Sequence, residues 1–454
     1  MDAPWDLPDG WRWERLGNLC EYVNRGRSPK YVPADGVPVI NQRCVRWGGI
    51  ELRHCKFTAR SAARSLAEEQ WLRPGDILWN STGTGTIGRA SLFSYQQGSY
   101  LADSHVTVVR PSRALPRWIE AWISTFFVQQ QVGGVGSTNQ VELSRDTVLD
   151  LPIPFADKAV QQQILSRVDG LFAEIDEGVQ AVAEARDGVK TYRKTLLNAA
   201  VTGGLTGDWR EANETIESGP ALVRRITGKR SARKAIKGDQ LEGAEVGDEM
   251  LSRAPLPATW CWSTIGELFS VYVGATPSRA NPALWGGTVP WVSSGEVAFC
   301  RISDTREHIV RAAVSGDRIH PPGTVLLGMI GEGRTRGQAA ILDVAATHNQ
   351  NAASIRVSET PIPPEYVYWW LEHRYDITRA LGVGGNQPAL NKARVQAIPI
   401  PVPPLDEALE IVRRLENQLN ELGLIPPELD EAAARAVELR QTVLAAAFRG
   451  EFTA

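Results

Sequence analysis

The sequence repeats itself at an interval slightly longer than half its length. The run Leu7–Trp11 returns as Leu256–Trp260, and Pro74–Leu78 returns as Pro322–Leu326. Three more runs recur in the same order, and all the offsets stay between 247 and 249 residues: Asn139-Gln140 with Asn386-Gln387, Leu151–Pro154 with Ile398–Pro401, and Leu197–Gly203 with Leu444–Gly450. Solenoid repeats are only tens of residues long. The chain therefore contains a duplicated domain, and we expect two similar working surfaces.

Length, composition and charge limit the class of protein. The 454 residues leave room for several domains, and 43% hydrophobic with 22% charged residues is typical of a globular protein. The net charge of -3 means that any nucleic-acid surface must be local. Five cysteines without paired spacing indicate a reducing compartment, so we expect a cytoplasmic protein. The start of the sequence lacks the pattern of a signal peptide. The sequence contains no run of about 18 apolar residues, so no membrane span is predicted.

The first repeat predicts a mixed α and β domain that reaches about residue 154. Val37–Ile40, Asp76–Trp79 and His105–Val109 have the composition of strands and are bounded by Gly, Pro or Asp. Pro116–Ile123 has helical spacing and starts with a proline, which the first turn of a helix tolerates. The second repeat follows the same plan from residue 256 to about 402.

A long amphipathic helix is predicted after each mixed domain. Apolar residues in these segments recur three and four apart, which is the heptad pattern of a helix that packs against a partner. Gly178 in this pattern suggests close approach of the partner, and Pro426-Pro427 must break or kink the second helix. The predicted seam consists of Val168, Leu171, Ile175, Val182, Val189 and Leu196 in the first helix and of Val412, Leu415, Leu419 and Leu422 in the second.

Residues 208–252 are predicted to form a basic linker between the repeats. Within them, residues 221–238 carry seven basic side chains and no acidic one. One interpretation is a solvated connector. The other is a basic arm that touches phosphates in a complex.

A glycine-rich stretch lies at the same place in each repeat. Gly83–Gly88 matches the dinucleotide fingerprint G-x-G-x-x-G, but the following Arg89–Tyr95 has strand character, and Gly331–Gly337 breaks the spacing. A nucleotide site would need a helix at the third glycine. We therefore interpret both stretches as turns between strands that let the backbone approach a ligand closely.

Catalytic and metal-binding patterns are absent from the sequence. There is no P-loop and no G-x-S-x-G. Cys44 and Cys55, with His54, lack the four-ligand spacing of a zinc finger, so no metal is predicted. His105 and His348 occupy matching places after strand-like runs and are interpreted as core or loop residues. Asn139-Gln140 and Asn386-Gln387 can read adenine edges or cap turns, and both interpretations stay open.

These features together resemble one family, the specificity subunit of type I DNA restriction-modification enzymes. The resemblance rests on the Leu-Pro-x-x-Trp openings, the Pro-Gly-Asp-Ile-Leu and Pro-Gly-Thr-Val-Leu strands, and the Pro-Ile-Pro runs. It also rests on the helix ends at Leu196–Gly207 and Val443–Thr453, and it covers nearly the whole chain.

The resemblance implies an α+β protein with a pseudo-two-fold internal repeat. Two mixed α/β target-recognition domains are joined by two long helices that form an antiparallel coiled coil. The expected boundaries are a first recognition domain at 1–155, a first spacer helix at 156–207, the linker at 208–252, a second recognition domain at 253–403 and a kinked second spacer helix at 404–454.

The resemblance also implies a function. Each recognition domain reads one half of a bipartite sequence in double-stranded DNA, and the seam residues hold the helix pair and dock two methylation subunits. Restriction subunits join the complex in the cytoplasm of a prokaryote. The chain itself is expected to be no enzyme and to hold no cofactor or metal, whereas S-adenosylmethionine, ATP and Mg belong to the partners. The loop residues expected to contact DNA are Arg25, Arg27, Lys30, Thr84, Thr86, Arg89, Asn139, Gln140, Arg279, Arg334, Arg336, Asn386 and Gln387.

Two other classes of function remain as alternatives. One is a stand-alone DNA methyltransferase or nuclease, and the other is a bivalent adaptor that binds proteins. Methyl transfer by the purified chain alone would favour the first. DNA binding that depends on salt would disfavour the second.

Overall fold

The chain forms two compact units that interleave along the sequence. The computed structural model describes residues 4–33, 35–83, 85–132, 142–214, 217–232, 255–331, 333–382 and 389–452. The first unit comprises residues 1–184 together with 429–454, and the second comprises residues 185–428. These limits differ from the linear boundaries predicted from the sequence. The reason is that each recognition domain packs with segments of both long helices.

The first unit contains twelve of the named strands and the helices up to the first half of α5. The strands are β1 (Arg12–Arg15), β2 (Cys20–Arg25), β3 (Tyr31–Val32), β4 (Val37–Ile40), β5 (Val45–Arg46), β6 (Gly49–Ile50), β7 (Lys56–Thr58), β8 (Ile77–Asn80), β9 (Ala90–Leu92), β10 (Leu101–Ala102), β11 (Val106–Pro111) and β12 (Pro152–Phe155). The helices are α1 (Arg60–Ala63), α2 (Pro116–Ile123), α3 (Phe126–Val132), α4 (Arg145–Asp150) and α5 (Lys158–Thr202), which continues into the second unit.

The second unit contains the elements from α6 to α12, and α13 returns to the first unit. The strands are β13 (Cys261–Thr264), β14 (Val271–Val273), β15 (Trp285–Val292), β16 (Cys300–Ile302), β17 (Glu307–Ile309), β18 (Val325–Gly328), β19 (Ala339–Leu342), β20 (Thr347–His348), β21 (Ala352–Ile355) and β22 (Pro399–Val402). The helices are α6 (Gly207–Ala212), α7 (Gly219–Ala232), α8 (Ile265–Leu268), α9 (Pro364–His373), α10 (Tyr375–Ala380), α11 (Lys392–Gln396), α12 (Leu405–Gly423) and α13 (Ile425–Arg449).

The two units share one strand plan, which confirms the internal repeat. In the first, the sheets have the orders β2-β11-β8-β9 and β10-β4-β7-β3, and β1 pairs with β12. In the second, the orders are β14-β21-β18-β19-β16 and β17-β15-β20, and β13 pairs with β22. The parallel pairs β10–β4 and β20–β15 occupy matching places. The predicted helix at Pro116–Ile123 is confirmed as α2, with its proline in the first turn.

Aromatic side chains anchor one helix of each unit to the Pro-Ile-Pro strand through hydrogen bonds. Trp118 and Trp122 of α2 donate to the carbonyls of Pro154 and Pro152, both at 2.9 Å. In the second unit Tyr366 and Trp370 of α9 donate to Pro401 and Pro399 at 2.9 and 2.8 Å. These rings are buried, so each also supplies a large apolar surface to its core. Packing of the core therefore explains why both copies place two aromatic residues four apart on this helix.

Helix α5 is more buried toward its two ends than in its middle. Val168, Ile175 and Leu196 are buried, whereas the segment 176–188 is exposed apart from the half-buried Val182. No atom outside the local helix lies within 4 Å of a Cβ built on Gly178, so the predicted close approach at that residue is wrong for the described part of the chain. Glycine was tolerated there because the position is open to solvent.

The second helix is interrupted, as the proline pair predicts. Helix α12 ends at Gly423 and α13 begins at Ile425, so Pro426-Pro427 lies in the first turn of the new helix. In the second unit, α5 and α12 run antiparallel. Tyr192 of α5 contacts Gln418 of α12 at 3.3 Å, and Thr206, beyond the end of α5, contacts the earlier residue Glu407 of α12 at 2.7 Å.

The predicted linker at 208–252 needs a correction, because part of it is folded. Helices α6 and α7 occupy its described portion, and Leu222 and Ile226 of α7 are buried in the core of the second unit. The spacing of four residues between them puts both on one helix face. The basic run 221–238 thus begins on a packed helix, and its residues from 233 onward lie outside the described residues.

Glu407 joins three parts of the second unit. It is fully buried, and its Oε1 accepts from Thr206 at 2.7 Å and from the guanidinium of Arg210, while Oε2 accepts from the Trp260 indole at 2.8 Å. The tryptophan of the second Leu-Pro-x-x-Trp motif is therefore held by a buried carboxylate.

Among the described helices, none is both long and apolar enough to cross a membrane.

Candidate nucleic-acid interface

The loops of the first unit that the sequence singled out converge at one edge of its sheets. Strand β11 is antiparallel to β2 and to β8, with Thr107 opposite Arg25 and Val106 opposite Asn80. The C-terminal ends of β2 and β8 therefore meet the start of β11. Strand β4 ends at the same edge, because the amide of Asp103, between β10 and β11, donates to the carbonyl of Ile40 at 2.9 Å. We call this the reading edge of the first unit.

Short polar contacts tie these loops together. Ser28 and Ser104 lie 2.6 Å apart between their hydroxyl oxygens, and the Thr82 hydroxyl lies 2.6 Å from Nδ1 of His105. The Gly83–Gly88 turn joins β8 to β9, as the sequence predicts, and three of its glycines have positive φ. Such angles are open to glycine without strain. The edge is thus a fixed arrangement of hydroxyl groups and backbone.

The second unit has an equivalent reading edge. The ends of β14 and β18 meet the start of β21, with Val273 opposite Ala353 and Gly328 opposite Ala352. Thr276 donates to Gln350 at 2.5 Å, which reproduces the contact of Ser28 with Ser104. The frame is the same in both units, while the side chains it presents differ.

One glycine at each reading edge allows a close backbone approach. A Cβ atom on Gly26 would lie 2.0 Å from the carbonyl oxygen of Ala102, and one on Gly274 would lie 2.1 Å from that of His348. Beside Gly274 lies a cleft of about 610 Å³ lined by Tyr272, Arg318 and other residues, whereas the cleft beside Gly26 measures about 140 Å³. The two edges therefore offer different shapes.

The predicted cations of the first unit divide into paired and exposed groups. Arg25 is held by Glu142 and donates to the Leu143 carbonyl at 2.6 Å, and Arg89 donates to the Gly85 carbonyl at 2.8 Å. The Thr86 hydroxyl donates back to the turn and to Gln42. These three therefore stabilise the edge itself. Exposed side chains are presented by Arg27 and Lys30.

The cations of the second unit divide in the same way. Arg279 pairs with Glu307 at 2.8 Å and lies over the Trp285 ring, 3.7 Å from its centroid. The carboxylate of Glu307 raises the pKa of this guanidinium. Arg336 donates to the Arg379 carbonyl at 3.1 Å, while Arg334 is exposed. Thr84, Asn139, Gln140, Asn386 and Gln387 lie outside the described residues.

Sequence reasoning missed a hairpin at the first reading edge. Strands β5 and β6 form a short antiparallel pair, and Trp47 at its tip is 49% exposed. Arg43 at its base is exposed as well. The Gly48-Gly49 pair is a turn signal that could have located it.

The histidine correspondence predicted from the sequence is wrong. His348 belongs to β20 and matches Ala102 of β10, because Gly274 and Gly26 approach these two carbonyls. The ring of His348 lies 5.1 Å from that of His320, and burial lowers the pKa of His348 to about 4. Burial also lowers the pKa of His320 well below its usual value. Both are core residues, as the sequence analysis interpreted His348.

No metal site is present in the part of the chain that the structure describes. The sulfur atoms of Cys44 and Cys55 lie 3.8 Å apart, with Cys44 buried in the core behind the hairpin. The thiols therefore serve packing.

Comparison with known proteins shows which family this repeated frame resembles. The family model described as type I restriction modification DNA specificity domain matches residues 257–428. The specificity subunit of the type I restriction enzyme StySPI from Salmonella potsdam is 20% identical over 479 residues, which cover 99% of this chain and 90% of the relative. The second repeat thus matches the specificity domain, and nearly the whole chain is similar to specificity subunits of type I restriction enzymes.

Two solved structures have the same fold as this chain. A chain from work on complex assembly and conformational transition of the type I R-M system has a TM-score of 0.68 at 18% identity, covering 98% of this chain and 100% of that one. The HsdS subunit from Thermoanaerobacter tengcongensis has a TM-score of 0.57 at 18% identity, covering 99% of both chains. At this level of identity, the likeness establishes the fold.

The apolar positions of the predicted seam lie along the long helices of this chain. Leu415, Leu419 and Leu422 of α12 are buried in the core of the second unit. Val189 and Val412 are partly buried and pack against this core. Leu171 packs partly against the core of the first unit. A groove of about 780 Å³ lies between α5 and α13 of that unit, lined by Leu171, Ile175, Val182, Leu439 and other residues. Leu439 is 51% exposed, so apolar surface faces solvent there.

Proposed function

We propose that this chain is a specificity subunit that selects the DNA sequence at which a type I restriction-modification complex acts. Each unit would read one half of a bipartite target through its reading edge. The observation that carries the proposal is the repeated frame. The contact of Ser28 with Ser104 in the first unit and that of Thr276 with Gln350 in the second lie at equivalent positions, while the neighbouring loops differ. One frame with two sets of loops suits two different half-sites.

The exposed cations would position the DNA, and the polar groups would read it. Arginine and lysine neutralise phosphates without reading sequence, whereas hydroxyl and amide groups distinguish base edges in the major groove. Arg27 and Lys30 in the first unit, and Arg334 in the second, are the exposed cations for this task. Arg25, Arg89 and Arg336 support the loops instead, because their guanidinium groups already have partners within the chain.

The remaining predicted contacts stay part of the proposal. Arg279 stacks on Trp285 next to the edge and could exchange Glu307 for a phosphate, since its ion pair is exposed. Thr84 and Thr86 belong to the glycine-rich turn. The two Asn-Gln pairs, Asn139-Gln140 and Asn386-Gln387, are chemically suited to adenine.

The long helices are the proposed docking surface for two methylation subunits. Exposed apolar side chains on α13, such as Leu439 beside the groove, fit this role, because solvent-facing apolar patches mark protein interfaces. The methylation subunits would supply S-adenosylmethionine, and the restriction subunits would supply ATP and Mg. We expect the assembly to work where its substrate lies, in the cytoplasm of a prokaryote.

Methylome sequencing tests the proposal directly. The chain is co-expressed with its methylation subunit in a host that lacks other modification systems. We expect methylation of a split motif with two short specified halves and an unspecified gap. A continuous motif that depends on this chain would contradict reading by two units. Methyl transfer by the purified chain alone, with S-adenosylmethionine and DNA, would instead support an autonomous methyltransferase.

A further inference from the structure

The hairpin at the first reading edge presents one aromatic side chain to solvent. Strands β5 and β6 pair through Val45 with Ile50 and Arg46 with Gly49. Gly48 has a φ of +79°, which completes the reversal of the chain. Trp47 occupies the tip and is 49% exposed.

The base of the hairpin is held rigidly by the core. Cys44 and Val45 are fully buried, and Ile50 packs against the same cluster. The amide of Glu51 donates to the Cys44 carbonyl at 2.8 Å, and the Tyr95 hydroxyl donates to the Ile50 carbonyl at 2.8 Å. The backbone that carries the indole is therefore fixed, which reduces the entropy lost when the hairpin binds a ligand.

The hairpin is surrounded by positive charge. Arg43, Arg46 and Arg53 lie on or next to it, and Glu51 is the carboxylate among them. Glu51 lies 2.9 Å from Arg53 and 3.7 Å from Arg46. Arg43 is exposed, and no side-chain partner for it occurs within the described residues. Guanidinium groups therefore outnumber the carboxylate around the exposed indole.

The hairpin adjoins the glycine-rich turn of the reading edge. Asn80, at the end of β8, donates its side-chain amide to the Gln42 carbonyl at 3.0 Å. Thr86 of the turn donates to the Gln42 side chain at 3.2 Å. Residue Gln42 precedes Arg43 in the chain, so the base of the hairpin and the turn form one continuous surface.

The second unit builds a different structure at the corresponding place. There, β15 is followed by a single helical turn, Ser294–Glu296, whose Glu296 carboxylate accepts from the Ser293 amide at 2.9 Å. The chain then enters β16, which pairs in parallel with β19 and forms no hairpin of its own. The hairpin is thus a property of the first unit within the described parts of the two reading edges.

We propose that the Val45–Ile50 hairpin enters the major groove of the half-site read by the first unit, and that Trp47 contacts its bases. A two-stranded ribbon fits the major groove. Arg43 and Arg46 would then contact the flanking phosphates. This inference rests on the proposed function, because it names the element that reads one of the two half-sites.

The test uses the complex of the full chain with its methylation subunit and duplexes that carry the motif found by methylome sequencing. Fluorescence anisotropy measures the dissociation constants for the cognate duplex, for a scrambled duplex and for duplexes with one half altered. We expect Trp47→Ala to weaken cognate binding roughly tenfold, about 1.4 kcal/mol, because the variant loses the apolar surface that contact with the base edges would bury. Binding to the scrambled duplex should change little. Trp47→Phe should retain most of the affinity.

Discrimination between bases should be lost at one half-site only, which identifies the half read by the first unit. Arg43→Ala should weaken binding to all duplexes alike and reduce the salt dependence by roughly one phosphate contact. Arg15→Ala is the matched control, because Arg15 is exposed at the end of β1 and lies before the start of β2, whereas the reading edge lies at the other end of β2. It should leave all dissociation constants unchanged.

The outcomes separate the hairpin from the proposed function. If the wild-type complex discriminates the cognate duplex but Trp47→Ala binds it within about twofold of wild type, the hairpin proposal is overturned. Equal losses on cognate and scrambled duplexes, or at both half-sites, would overturn it as well. If the wild-type complex itself fails to discriminate, the proposed function is at fault.

Discussion

Asp76 and Arg110 form a buried, two-pronged ion pair in the first unit, whereas the matching residues of the second unit do not pair. The distances are 2.7 Å from Oδ1 to Nε and 2.8 Å from Oδ2 to Nη2. In the second unit Thr324 stands in place of the aspartate, and Arg356 donates to Glu359 at 3.2 Å instead. The Thr324 hydroxyl is buried, with no hydrogen-bond partner among the described residues. The duplicated strand has therefore kept its arginine and exchanged the arginine's partner.

This exchange predicts opposite results for two matched substitutions. Asp76→Ala leaves the Arg110 guanidinium buried without its carboxylate and should destabilise the first unit by about 3–5 kcal/mol. Thr324→Val removes a hydroxyl without a partner and should be nearly neutral or stabilising in the second unit. Hydrogen exchange of the full chain measures the stability of each unit separately. Equal effects of the two substitutions would contradict the assignment.

The close backbone approach at the reading edge predicts a strict requirement for glycine. Gly26→Ala places a methyl group 2.0 Å from the Ala102 carbonyl oxygen, so the loop must move. We expect the variant complex to lose most of its affinity for the cognate duplex. Gly178→Ala is the control, because a Cβ there meets nothing within 4 Å, and it should stabilise α5 by about 0.5–1 kcal/mol. Unaltered binding by Gly26→Ala would contradict the role of this edge.

Arg27 and Arg25 are near neighbours with different predicted roles. Arg27→Ala should weaken binding to cognate and scrambled duplexes alike and lower the salt slope by about one, because an exposed cation contacts phosphate. Arg25→Ala should mainly reduce the stability of the first unit, since Arg25 is held by Glu142 and by the Leu143 carbonyl. Titration of DNA at several salt concentrations, together with thermal unfolding, distinguishes the two. A change in salt slope for Arg25→Ala alone would reverse the assignment.

The buried histidines predict that the second unit loses stability in acid. Burial lowers the pKa of His348 to about 4, so the folded unit keeps this ring neutral while the unfolded chain, with a pKa near 6.5, takes up a proton. Stability is therefore retained above about pH 6.5 and falls as the pH decreases toward 4. The loss should be about 1.4 kcal/mol per pH unit for this group. His348→Asn should flatten the dependence measured by hydrogen exchange, and an unchanged slope would contradict it.

Local signals in the sequence were sufficient for regular elements. The start of α2 at Pro116 follows from the tolerance of proline in a first turn, and the break near Pro426-Pro427 follows from the missing amide hydrogen. Helix α7 was missed because Gly219-Pro220, Gly228 and the basic run resemble a linker. The pair Leu222 and Ile226, four residues apart, was the signal that could have identified its buried face.

The partners of the loop cations could not be read from the sequence. Arg25 meets Glu142 across 117 residues, and Arg279 meets Glu307 across 28, so only the folded chain brings each pair together. The histidine correspondence failed for a related reason. The loops of the two copies differ in length, and strand pairing sets the true correspondence of His348 with Ala102.

The first unit is built from two segments that are far apart in the sequence, and this has a consequence for biosynthesis. Phe448 of α13 packs against Trp118 and Trp122, with ring centroids 4.5 and 4.9 Å apart. A ribosome must therefore translate the whole of the second unit before the first receives this side chain. Nascent chains interrupted anywhere before α13 would leave the two indoles without this ring on one side, and chaperones and proteases bind such apolar surface. The arrangement delays completion of the first reading edge's supporting core until both edges have been synthesised.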